Sequence, residues 1–335
     1  MLKHAKVIRL TVVVMAAVVA LIPPLAADAQ RTARPVKIGV LCAGTCSFGA
    51  GAIGRPQPLV DEFQRIDLVE GRSLVWDIGG VVASEDGIDV EASKLVSRRP
   101  DLILVWAGNV AAAQAAKAAT KTIPIVLMAV PDVVERGLVA SLSRPGGNIT
   151  GTSVPMYDLL IKQIEVLKEI NPRLRGLVAA HGALDRAERE TIDRLRAAVR
   201  SLRLDAGITV TDLSNVDQAL VAAPARASAV LVIGNIPYVT ERRIRQLALE
   251  RKLPLITPWR PLGSGTALID YGPRFAAVTE RTAALIERIA KGARPSDLPV
   301  EQMTSYVLVI DGVMAKALGL TIPPGVSARA DEVLE

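Results

Sequence analysis

Residues 101–129 read DLILVWAGNVAAAQAAKAATKTIPIVLMA, and their pattern points to one fold class. Leu102–Trp106 and Ile125–Ala129 are short, continuous apolar runs. A strand with one wet face alternates apolar and polar residues, so continuous runs predict strands buried on both faces, as in a parallel sheet. Val110–Ala119 between them reads as a helix. Strand, helix and strand in that order form one right-handed crossover unit of an α/β fold.

The alternation continues in both directions. Further strands are expected at Val36–Leu41, Ser73–Ile78, Gly176–Ala180, Ile208–Asp212, Ala229–Ile233, Leu255–Thr257 and Ala267–Asp270. Helices are expected at Val90–Ser97, Leu159–Ile170, Asp185–Leu202 and Thr240–Glu250. The pattern also occurs twice. Val36–Leu41 has a counterpart in Leu174–Ala179, Asp101–Trp106 in Ala229–Ile233, and Thr122–Val126 in Lys252–Ile256, each about 130 residues later. Ser143–Asn148 between the halves is turn chemistry. Two similar doubly wound lobes joined by extended segments would enclose a cleft lined by strand C-termini, where open parallel sheets place ligands.

The composition fits this reading. At 335 residues the chain is long enough for about two domains of ~150 residues each, and with half its residues apolar it has ample material for a core. The net charge of +6 is dispersed along the chain, which disfavours a nucleic-acid surface. Two cysteines and two histidines leave little for a disulfide scaffold or a histidine-rich metal site. The first 29 residues have the form of a cleavable export signal: Lys3, Lys6 and Arg9, then an apolar run from Leu10 to Ile22 stopped by Pro23-Pro24, then Ala27-Asp28-Ala29. Cleavage there gives a mature chain from Gln30, placed in the periplasm if the source is a Gram-negative bacterium.

Catalytic motifs are mostly eliminated. Gly49-x-Gly51-x-x-Gly54 spells a dinucleotide fingerprint, but seven residues separate it from the strand ending at Leu41, and Arg55-Pro56-Gln57-Pro58 delays any helix. It is read as a glycine-rich loop. His181, the one histidine of the mature chain, has Asp185 nearby but no nucleophile, so it is expected to contribute a hydrogen bond from a loop. Cys42 and Cys46 can pair in an oxidising compartment, though so short a loop strains the bond, and both states stay open. No cofactor or metal is expected, and the protein is read as a binder, not an enzyme.

Of the ten aromatic residues, Phe48, Trp106, Tyr238, Trp259 and Tyr271 fall at or just beyond strand C-termini, as do the polar Asn109, Asp132, Asn235 and Arg260. An aromatic-lined cleft with a few polar anchors is the usual composition of a small-molecule site.

Three segments carry a family resemblance: Thr120-x-Thr122-Ile123-Pro124-Ile125-Val126, then Pro131-Asp132-x-Val134-Glu135-x-Gly137-Leu138-Val139, then Ser143–Gly151. With Tyr271-Gly272-Pro273, Gly292–Val300, Ala315–Pro324 and Arg329–Val333, they resemble the ABC-transporter substrate-binding proteins of the tryptophan/tyrosine type over essentially the whole mature chain. The resemblance implies an α/β type I periplasmic-binding fold, two doubly wound Rossmann-like lobes with a hinge and central cleft. It also implies a monomer that captures a small solute and delivers it to ABC permease subunits with their ATPase. The chain departs from the family pattern at His181-Gly182, at Asn235-Ile236-Pro237, at Cys42–Cys46 and at Arg55–Pro58, all in the expected cleft. An exported sensing domain or a periplasmic enzyme of similar fold is the alternative.

The expected lobes are residues 31–150 plus about 266–300, and 151–265 plus about 301–335, with crossings near Gly151, Gly265 and Tyr306. Thr45, Ser47, Asn109 and Asp132 are expected to face His181, Asn235, Tyr238 and Arg260. Amides near Asn109 would hold a carboxylate, Asp132 an ammonium and Arg260 an oxyanion, with Trp106, Tyr238 and Trp259 stacking on a flat solute. An amino acid or organic acid is favoured over a sugar or metal.

Overall fold

The computed structural model describes residues 34–43, 57–82, 87–106, 108–181, 186–204, 207–212, 229–233, 238–257 and 267–335. The export-signal expectation falls on residues outside this set, as does the glycine-rich stretch 49–54. Val36–Glu335 forms one compact unit.

The crossover unit read from residues 101–129 is present as β3 (Leu102–Val105), α3 (Val110–Ala119) and β4 (Ile125–Pro131). Around it, β1 (Val36–Ala43), α1 (Gln57–Arg65), β2 (Leu74–Val82), α2 (Ile88–Ser97), β5 (Ile149–Val154) and β11 (Glu301–Gln302) build a six-stranded sheet in the order β11-β5-β4-β3-β1-β2. Every neighbouring pair in it is parallel.

A second sheet has seven strands. It comprises β6 (Gly176–His181), β7 (Gly207–Asp212), β8 (Ala229–Ile233), β9 (Leu255–Ile256), β10 (Ile269–Pro273), β12 (Tyr306–Asp311) and β13 (Glu332–Leu334), in the order β13-β12-β10-β9-β8-β6-β7. Only the β10–β12 pair is antiparallel.

The winding explains the internal repeat. The order β2-β1-β3-β4 in one sheet recurs as β7-β6-β8-β9 in the other. The three matched sequence pairs are β1 with β6, β3 with β8, and the leads into β4 and β9. Continuous apolar runs are needed because each strand feeds two cores. In the first sheet Ile38, Leu102, Leu104, Val126 and Met128 pack to one side, while Leu41, Ile103, Val105, Ile125 and Leu127 pack to the other. In the second sheet Leu177, Ala179 and Leu231 oppose Val178, Ala180, Val230 and Val232. The alanines of α3 suit the second face: Ala112, Ala113, Ala115 and Ala116 are all buried, and their small side chains let the helix lie close on the sheet.

The chain passes between the sheets three times. The first passage is at Pro155, between β5 and α4 (Met156–Ile170). The second is at Arg274, between β10 and α7 (Phe275–Ala290), and the third is at 303–305, between β11 and β12. The second lies beyond the position near Gly265 expected from the sequence, because Ile269–Pro273 pairs with β9 and β12 inside the second sheet before the chain returns. Helix α7 then covers the first sheet beside α1, with Val278, Leu285 and Ile286 in that core. Met156 and Tyr271 pack against the cores of both lobes. Tyr271 and Tyr306, at the last two passages, lie 5.6 Å apart.

Strand β5 had no signal in the sequence, where turn chemistry runs up to Asn148. Its ITGTSV is buried along its whole length. The buried hydroxyls have partners: Thr150 Oγ1 donates to Leu298 O at 2.8 Å, and Thr152 Oγ1 accepts from Ala129 N at 2.8 Å. Gly151 is required there, since a Cβ would lie 2.2 Å from Leu127 O and its φ is +144°.

Candidate functional site

In a sheet wound 2-1-3-4 the order reverses between β1 and β3, and ligands sit outside the strand C-termini at that switch point. The floor of this point in the first sheet is closed by Asn109. Its side chain is fully buried: Oδ1 accepts from Ala112 N at 2.8 Å, capping α3, and Nδ2 donates to Ala43 O at 2.6 Å. Trp106 N donates to Leu41 O at 3.1 Å, a further tie between β3 and β1. Asn109 therefore serves the fold by tying the two strand ends together, and its side chain is turned inward instead of toward the opposite lobe. Trp106 is likewise 7% exposed, in the core of the first lobe and edge-on to Phe275 at 6.5 Å.

Cys42, next to this point, is buried and disulfide-bonded. The only other cysteine in the chain is Cys46, which lies outside the described residues. Thr45, Ser47, Asn235, Trp259 and Arg260 also lie outside them. His181 is the last residue of β6, half-buried, in register with Ile233 and Asp212 at the corresponding point of the second sheet. Tyr238 opens α6 (Tyr238–Glu250).

Among the residues expected at the site, Asp132 has an unusual backbone. A bulge interrupts the β4–β5 register between Leu127 and Val130, with Ala129 at φ +49°. Three residues later Asp132 is also in the left-handed region, at φ +50°. Non-glycine residues adopt such conformations at some cost, and they cluster at functional sites. This backbone re-aims the end of β4 so that Asp132 Oδ1 accepts from Met156 N at 3.2 Å. A side chain of the first lobe thereby caps the first helix of the second, at the first passage. Burial pushes the Asp132 carboxyl up to about 6, opposed by Arg136, with Glu135 pushing the same way as burial.

Asp132 lines a cavity of about 230 Å³ to which both lobes contribute. Its polar wall includes Glu135 and Ser153 from the first lobe and Tyr157, Asp158 and Arg194 from the second. Tyr157 and Asp158 belong to the first turn of α4, and Arg194 to α5 (Arg186–Ser201). The guanidinium carbon of Arg194 stands 3.6 Å over the centroid of the Tyr157 ring. Neither Tyr157 nor Arg194 was singled out from the sequence. Tyr157 is one of only four tyrosines and falls just after a buried strand, but that strand, ITGTSV, carries no continuous apolar run to mark it. Among the described residues, no group of three or more His, Cys, Asp or Glu is placed to hold a metal ion, and no helix is long and apolar enough to cross a membrane.

Known proteins resemble the chain along most of its length. A tyrosine-binding protein of Clostridioides difficile (strain R20291) is 29% identical over 238 residues, covering 68% of this chain. The chain spans 66% of that relative's length, just under two thirds. An ABC domain from Streptococcus pneumonia in complex with L-Trp superposes with a TM-score of 0.72 at 21% identity, covering 89% of this chain and all of that one. A conserved domain protein from Vibrio cholerae O1 biovar El Tor gives a TM-score of 0.75 at 24% identity, covering 90% of this chain and all of that one. These likenesses show the fold, the α/β type I fold of periplasmic binding proteins. The model of the ABC transporter substrate binding proteins matches residues 57–334, and the chain belongs to that family.

Proposed function

We propose that the protein is the solute receptor of an ABC import system. It would capture a small amino acid or organic acid between its lobes and present the closed form to membrane permease subunits with their ATPase. The observation that carries this reading is Asp132: a strained, half-buried carboxyl on one lobe that caps the first helix of the other and borders an interlobe cavity. Such a residue would sense both a bound cation and the relative position of the lobes. The first lobe would be residues 36–154 with 275–302, and the second 156–273 with 306–335. Closure would be a hinge motion at the three passages, near Met156, Tyr271 and Tyr306. We read residues 1–29 as a cleaved export signal and the mature chain as a periplasmic monomer that binds its solute without turnover.

The bound solutes named for two relatives, tyrosine and L-Trp, support an amino acid as the first class to try. A thermal-shift screen of the mature protein against amino acids, organic acids, sugars and divalent metals tests this. A solute at about 1,000 times its Kd stabilises the folded state by about 4 kcal/mol. Solution scattering with the best solute should show compaction. A flat melting point with every amino acid and organic acid, set against a rise with a sugar or metal, would refute the solute class.

A further inference from the structure

The sequence pointed to Arg260 for an anion anchor and to Trp106, Tyr238 and Trp259 for aromatic surface. The cavity bordered by Asp132 brings a different cation and ring together. Tyr157 lies one residue into α4, directly after the first passage, and Arg194 reaches it from α5. Arg194 is exposed, and among the described residues it makes no ion pair, whereas Asp193 and Arg196 on the same helix pair with each other at 3.0 Å. It is close enough to Asp132 to favour the charged carboxylate there.

We propose that Arg194, stacked on Tyr157, is the anion-binding residue of the solute site, and that with Asp132 across the cavity it selects a solute carrying both a carboxylate and a cationic group. This rests on the binding-protein reading and assigns residues to it. A guanidinium lying flat on an aromatic ring keeps its N–H donors in the plane, free for a bidentate carboxylate. The ring also restrains an otherwise flexible side chain, which lowers the ordering cost on binding.

The charges stand on opposite lobes, so a zwitterionic head group satisfies both only when the lobes are held together. Glu135 and Asp158 in the cavity wall disfavour a solute with excess negative charge. At about 230 Å³ the cavity is below the roughly 300–1,000 Å³ of a complete ligand pocket, so it fits the head group, with the rest of the solute directed toward the strand ends.

Calorimetry on the mature protein tests this with a series of L-amino acids and their carboxamides, which lack the carboxylate charge. Wild type should bind the acid in preference to the carboxamide. Arg194→Gln should weaken the acid by about 10- to 100-fold and abolish that preference. Arg194→Lys should recover part of the affinity, and Tyr157→Leu should weaken the acid without abolishing the preference. The ligand-free melting points of the Arg194 variants should stay within a few degrees of wild type, because the side chain is exposed and loses only its contact with Tyr157. An Arg194→Gln protein that keeps both wild-type affinity and wild-type preference overturns the proposal and leaves the binding-protein reading standing. Wild type that binds a neutral sugar but no carboxylate overturns the proposal together with the solute class, and that pattern is visible before any variant is made.

Discussion

Replacing Asp132 by Asn separates the two roles of this residue. Asn keeps the side-chain oxygen that accepts from Met156 N, and it tolerates the left-handed φ of +50° at least as well as Asp. It removes the charge and turns the second oxygen into an NH2 donor at the cavity edge. Burial raises the carboxyl from an ordinary 3.8 to about 6, which corresponds to about 3 kcal/mol of penalty on the ionised folded state. The folded value lies above the unfolded one, so the folded state holds the proton more tightly. Wild-type stability should therefore fall as pH rises from about 4 to about 6, and stay lower above that.

Asp132→Asn should be more stable than wild type at pH 7.5 by up to about 3 kcal/mol, with the difference vanishing below pH 4. The assay is guanidinium chloride unfolding of the mature proteins from pH 4 to 8. Binding should move the other way: a solute with an ammonium group should bind the variant about 10- to 100-fold more weakly. Gain of stability with loss of affinity is the expected pattern where a strained charge is held for function. A variant no more stable than wild type across that range would refute the buried-charge argument, and unchanged affinity would remove Asp132 from the site.

Two further predictions concern the scaffold that holds the site. Gly151→Ala places a Cβ against Leu127 backbone atoms at 2.2 and 2.4 Å and should cost about 3 kcal/mol or more, a fall of roughly 6–12 °C in Tm by circular dichroism. A Tm within a degree or so of wild type would show that β5 can move away from β4 at little cost. Asp77 in β2 is subject to burial, which pushes its carboxyl up. That effect is outweighed by Arg98 at 2.7 Å, the Gly79 N–H and Lys37, so it ionises below the ordinary range. Its contribution is present above pH 3.8 and lost as pH falls through the lowered value, so Asp77→Asn should destabilise at pH 7 and approach wild type in acid. A destabilisation equal at pH 7 and pH 3 would assign the loss to packing instead of charge.

The parts of the fold that depend on burial on both faces of a sheet are legible in the residues alone. The continuous runs Leu102–Trp106, Ile125–Ala129 and Ala229–Ile233 admit few other structures, and their repetition implies two similarly wound lobes. The sequence also marked Asp132 as a polar residue at a strand end. Three things were decided only by tertiary structure, each because the stabilising partner is distant in the chain. Strand β5 is polar, and its burial depends on Leu298 O and Ala129 N accepting and supplying the hydrogen bonds of Thr150 and Thr152. The second passage lies at Arg274 because Ile269–Pro273 finds its partner in Tyr306–Ile310, more than thirty residues on. Asn109 and Asp132 look alike as polar residues beyond strands, yet one is sealed beneath Ala43 and the other reaches across to Met156 at a cavity edge. Local propensity cannot distinguish them, since the difference lies in what the far end of each side chain meets.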